Sequence, residues 1–78
     1  MQIHLNELFQ DTAKLKDLEG YKHKVLKLAG QGNEVTLTGS APVWLYLAIA
    51  HELHGVALCL NYSSPVTGSV EIFNHNPF

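Results

Sequence analysis

The run Val43-Trp44-Leu45-Tyr46-Leu47-Ala48-Ile49-Ala50, with Leu53 one turn on, is apolar around nearly the whole circumference of a helix. A helix of that kind must be covered on every side, which leaves few folds open. Its flanks mark its ends. Ser40 is a natural N-cap and Pro42 suits a first turn, where no amide hydrogen is needed. After His54, Gly55 supplies a left-handed residue to stop the helix. Ahead of it, Glu34 to Thr38 alternates, with Val35 and Leu37 on one face, as a strand does. Behind it, Val56 to Tyr62 is a β-rich run, residues 63–68 are turn-like, and Ser69 to Asn74 returns. Strand–helix–strand units cross over with their two strands parallel. The sequence therefore predicts a single α/β domain over residues 1–78, with a mixed sheet, one crossover and a C-terminal hairpin. One sheet in 78 residues does not cover such a helix on both sides, so a second subunit is expected against it. The alternative cover is a short helix in the N-terminal third.

That third is less definite. Gln2 to Leu8 alternates as a half-buried strand, with Ile3 and Leu5 set against Gln2, His4 and Asn6. Asp11 can cap a short helix carrying Ala13, Leu15 and Leu18, which Gly20 ends. Tyr21 to Ala29 reads as strand or extended loop, and Gly30 to Asn33 as a turn.

Composition narrows the function classes. A chain of 78 residues buries only roughly 60% of the surface its unfolded form exposes, so a metal or a partner subunit is the expected support. The single cysteine, Cys59, excludes an internal disulfide and suits a reducing compartment, here the cytoplasm. Five lysines, no arginine and a net charge of −2 make duplex DNA an improbable partner. The N-terminus does not read as a signal peptide, and the apolar run 43–50 is far short of the ~20 residues of a membrane span.

Five histidines are the compositional oddity. His51 and His54 lie three apart near the helix end and share a face. If the hairpin turn centres near Pro65, residue 75 falls opposite residue 55, and His75 returns beside His54. Convergent imidazoles suit a metal site or acid–base chemistry. The plain alternative is that helix-terminal histidines cap carbonyls and favour the negative end of the dipole. Glu52 and Glu71 are possible oxygen ligands, while His4 and His23 show no convergent partner. At the other end of the helix, both parallel strands end in polar turns, so Thr38, Gly39, Ser40, Ser63 and Ser64 form one edge. Strand ends of this kind and helix starts take nucleotides and phosphates, although Thr-Gly-Ser before a helix is also ordinary capping chemistry. Pro42 and His54 are about 18 Å apart along the axis, so a ligand that uses both ends must be shared between subunits, head to tail.

Residues 39–46 (Gly-Ser-Ala-Pro-Val-Trp-Leu-Tyr), then His51-Glu52-Leu53-His54, then Asn74-His75-Asn76 resemble a small CRISPR-associated family of type III systems, known as a ring nuclease and RNA deadenylase. The resemblance covers roughly residues 34–77. It implies a fold distantly related to Rossmann-like domains and a tight dimer, two of which sandwich cyclic tetra-adenylate. It also implies manganese-stimulated cleavage to linear adenylates, which would switch off antiviral signalling. His54 would be the catalytic histidine, with His51, His54 and His75 around the metal. Short RNA is the other substrate class implied, and a sensor or sink that binds without cleaving is a further alternative. The family pattern Tyr-Asp-Pro-Arg-Leu-Gly after the central strand is here Tyr62-Ser63-Ser64-Pro65-Val66-Thr67-Gly68. The acid has become serine and the arginine valine, losses that bear on catalysis more than on binding.

Overall fold

The expected strand–helix–strand unit is present in the computed structural model, which describes residues 1–77. In chain order the elements are β1 (Gln2–His4), α1 (Leu18–Ala29), β2 (Glu34–Thr38), α2 (Val43–Leu53), β3 (Cys59–Ser64) and β4 (Gly68–Asn74). Two single 3-10 turns, Leu5–Glu7 and Leu15–Asp17, lie between β1 and α1. The sheet order is β1-β2-β3-β4, with β1 and β3 both parallel to β2, and β4 antiparallel to β3. The result is a mixed four-stranded sheet with two helices, of the α/β class.

The N-terminal third departs from expectation. Residues 18–29 form one helix, where the sequence suggested a helix ending at Gly20 and then a strand or extended loop. Leu18, Tyr21, Val25 and Ala29 follow helical spacing, and the last three are buried. Gly20 faces open space in the first turn, where it lowers helix propensity by about 1 kcal/mol without breaking the element. Gly30, at φ 66°, follows the helix, and the Asn33 side-chain amide caps the Ala29 carbonyl at 2.7 Å. Asp11 caps nothing regular, because helix begins only at the 3-10 turn Leu15–Asp17. The first strand is also shorter than its alternation suggested. It ends at His4, and Leu5 turns into the core.

α1 packs on α2, and both lie over the sheet. Ile3, Val35, Leu37 and Leu60 of the strands meet Tyr21, Val25, Leu45, Ile49 and Leu53 of the helices in a single core. Lys22 of α1 reaches Glu19 at 3.1 Å and Glu52 of α2 at 3.5 Å, which pins the helix pair at its rim. The cover over α2 is incomplete. Val43 is 72% exposed, Leu47 67% and Trp44 36%. With Tyr46, Ala50, Tyr62 and Ile72, the first two line an apolar groove of about 270 Å³ between α2 and β4. The N-terminal helix thus covers one side of α2 and leaves another open.

Both ends of α2 differ from their expected caps. Pro42 itself is the N-cap residue, and its carbonyl accepts from the amides of Leu45 (3.1 Å) and Tyr46 (3.3 Å). Ser40 is outside the helix. At the C-terminus, Gly55 is not left-handed. The Leu53 carbonyl instead accepts from the amides of Val56 (3.1 Å) and Ala57 (2.9 Å), so the chain closes by a tight turn and β3 starts only at Cys59.

Candidate functional site

The site has two poles, one at each end of α2. The first is built by the carboxyl ends of three parallel strands. In the register of the sheet, His4 stands opposite Thr38, and Leu37 opposite Tyr62. β1, β2 and β3 therefore end on one edge, and the loop into α2 leaves from there. A cavity of about 360 Å³ opens at this edge, lined by Thr38, Gly39, Ser40, Ser63 and Ser64. All five edge residues singled out from the sequence thus lie together. His4, Tyr62 and Pro65 line the same cavity. His4 escaped the sequence reading because joining it to this edge requires β1 beside β2, which in turn requires α1 as the crossover. The strand order does not reverse, so this is no topological switch point, and the cavity rests on the shared strand edge alone.

The edge is braced from several elements. The Thr38 hydroxyl donates to the Ser63 carbonyl at 2.9 Å, tying the two strand ends together. The Tyr46 hydroxyl, one turn into α2, donates to the Gly39 carbonyl at 2.5 Å. Its ring meets Tyr62 edge-on, with centroids 5.2 Å apart. Burial pushes the Tyr46 phenol above its ordinary range, with Tyr62 adding to the effect, so it stays a donor. Gly39 has φ 103°, a conformation that favours glycine, and a Cβ there would also displace the Asn6 side chain. Ser64 and Thr67 pair their hydroxyls at 3.0 Å across the hairpin turn. Capping does not account for Ser40, since no described side chain caps α2.

The second pole is a ring cluster. His54 and His75 have centroids 5.0 Å apart, and Phe73 meets them at 5.2 and 4.8 Å respectively. The route to this meeting differs from the expected one. Ser64 pairs with Gly68, so the turn centres on Val66, and Asn61 pairs with Glu71 while Leu60 pairs with Phe73. Ile72 is the extra residue of a β-bulge. In an unbroken ladder, side chains alternate strictly, and His75 would share the face of Glu71, away from the helices. The bulge turns Phe73 and His75 back toward α2, and the His75 amide bonds the Leu58 carbonyl at 2.8 Å.

His51 is exposed on α2, and the three histidines do not make a metal-holding set. Among the described residues no group of three or more His, Cys, Asp or Glu could hold a metal ion. The two carboxylates considered as ligands are engaged elsewhere. Glu52 pairs with Lys22, and Glu71, on the opposite sheet face, accepts from the Asn74 amide at 3.1 Å. His23 is exposed on α1. Cys59 is buried, and burial, then the carboxylates of Glu34 and Glu71, raises its thiol above the ordinary range, as suits an inert cysteine. No helix among the described residues is long and apolar enough to cross a membrane.

Comparison with known proteins finds one family. The model of the family described as CRISPR-associated protein (Cas_csx3) matches residues 10–78. No curated protein and no solved structure matches the chain. The matched stretch takes in α1, the strand–helix–strand unit, both histidines of the ring cluster and most of the edge cavity, and the chain belongs to this CRISPR-associated family.

Proposed function

We propose that the protein binds cyclic tetra-adenylate at the strand-edge cavity and cleaves it with the histidine pair of another copy of the chain. The observation that carries this reading is the two-pole arrangement on α2. Hydroxyl-bearing residues line the cavity at one end, and two neighbouring imidazoles stand at the other. Pro42 and His54 are about 18 Å apart along the helix, too far for one phosphodiester to reach both poles of a single chain. Stacked head to tail, two copies bring one chain's imidazoles to the other's cavity. The apolar groove beside Val43, Leu47 and Ile72 supports a homodimer as the unit that stacks, into a tetramer or a filament.

In this reading the chemistry is proton transfer. A ribose 2′-oxygen attacks the adjacent phosphorus, the bond from phosphorus to the 5′-oxygen breaks, and a linear adenylate with a 2′,3′-cyclic phosphate results. His54 takes the 2′-hydroxyl proton or delivers one to the leaving oxygen. His75 stands next to it for the complementary transfer. Manganese is an addition to the assay.

Chromatography of labelled cyclic tetra-adenylate after incubation with the protein, with and without manganese, tests the reading. The native chain should consume the ring, whereas His54→Ala should bind it and leave it intact, with a loss of rate of about 10²-fold or more. Ring that is neither bound nor cut would dispose of the proposal. A second reading, a sensor or sink, is favoured by one observation. Val66 sits 93% exposed at the hairpin tip, and the Ser64 hydroxyl is engaged by Thr67, where the resemblance would place an arginine and an acid. Tight binding with intact ring from the native chain would select it. RNA with a 3′-adenylate tail in the same assay tests the exonuclease alternative.

A further inference from the structure

The strand-edge cavity is lined by several hydroxyl-bearing residues, and none of the described residues that line it is Lys, Arg, Asp or Glu. Its one nitrogen base is His4. This histidine reaches the edge through backbone pairing, as the last residue of β1 opposite Thr38. The following turn holds it there. Leu5 is fully buried, and the Asn6 side chain packs against Gly39. The His4 imidazole does not cap the 3-10 turn that begins at Leu5, and the residue is exposed, so its ring is not consumed by the fold. Two neighbouring hydroxyls are consumed. Thr38 is spent on Ser63, and Ser64 on Thr67. His4 also lies before residue 10, where the family match begins, so this feature is not carried by that match.

A cavity without a carboxylate does not repel an anion, and an imidazole at its rim offers an N–H donor whether neutral or charged. We propose that His4 is a ligand-binding residue of this cavity, with its ring N–H set against a phosphate oxygen of the bound adenylate. The assignment rests on the nucleotide reading above. It gives β1 a part in function as well as in the sheet. It also gives this chain a phosphate contact from the N-terminal strand rather than from the hairpin turn, where the Val66 side chain has no donor to offer.

Equilibrium binding of labelled cyclic tetra-adenylate to the full chain and to His4→Ala, His4→Gln and His4→Arg tests it. The alanine variant should bind about tenfold more weakly or worse, the size expected for losing a hydrogen bond to a charged group. His4→Gln keeps an N–H donor and should lose less. His4→Arg should bind at least as well as the native chain, with a steeper fall in affinity as salt rises. Circular dichroism should be unchanged in all three, because His4 pairs through its backbone. Binding of His4→Ala within twofold of the native chain would overturn the proposal and leave the nucleotide reading standing. Equal losses in all three variants would also overturn it, since they would mean that the ring matters for shape and not for donation. If the native chain itself fails to bind the ring, both readings fall together.

Discussion

The two ends of α2 are held in different ways. At its start, hydrogen bonds and close packing from four elements converge on a short loop. Tyr46 donates to the Gly39 carbonyl, Asn6 fills the space a side chain at 39 would need, and Thr38 ties β2 to β3. At its end, His54 and His75 are placed by ring contacts with each other and with Phe73, and by the backbone register of a bulged strand pair. The first pole suits a pre-shaped receptor for a ligand, because a fixed cavity avoids the cost of ordering on binding. The second suits groups that exchange protons and can be completed by a ligand arriving from outside. In the proposed reading a binding surface and a reactive pair are carried on one short helix but cannot serve the same ligand atom within one chain.

The contrast can be broken most severely at the bulge. Inserting one serine after Asn74 should turn His75 to the sheet face away from the helices. Nuclear Overhauser contacts between the His54 and His75 rings should vanish, and ring cleavage should fall by about 10²-fold or more. Binding at the far pole should hold. Retained contacts in the inserted chain would mean that the tail, and not the strand register, places the imidazole.

A smaller effect is expected at the braced pole. Gly39→Ala forces a left-handed residue and a collision with Asn6, and should lower stability by about 2 kcal/mol in denaturant unfolding. The double variant Asn6→Ala/Gly39→Ala should recover the collision and keep the backbone penalty. If the single variant is as stable as the native chain, the loop is not rigid and the comparison fails.

The smallest expected effect is that of Tyr46→Phe, about 1 kcal/mol from one hydrogen bond. It should also change the response to alkali. The Tyr46 phenol holds its proton more tightly folded than unfolded, mainly through burial. Its contribution is therefore fully present below the unfolded value of about 10 and is lost as the pH rises above that toward the folded value. The native chain should lose stability over that range more steeply than Tyr46→Phe. Parallel pH curves would show that the hydroxyl does not brace the loop.

Much of the C-terminal half was legible in the sequence because its signals are local. Strand alternation at Glu34–Thr38, the apolar run of α2 and the turn residues of the hairpin each depend on a few neighbours along the chain. The edge residues from Thr38 to Ser64 follow from two strands ending where polar turns begin. The N-terminal third misled because Gly20 is a strong local stop signal, and the packing of Tyr21, Val25 and Ala29 against α2 and the sheet outweighs it. Tertiary burial routinely overrides a propensity difference of about 1 kcal/mol.

What the sequence determined by itself was the α/β pattern, the position of α2 and the family likeness carried by its motifs. Periodicity and motif spacing are properties of adjacent residues. Three things needed the tertiary structure. His4 joins the strand-edge cavity only because α1 carries the chain over to set β1 beside β2. His75 reaches His54 only because Ile72 bulges out of the ladder and restores the facing of the residues after it. The open side of α2 is known only once α1 has taken its place. In each case the deciding quantity is a register or a covering contact between segments far apart in the chain, and no local pattern encodes a one-residue offset between them.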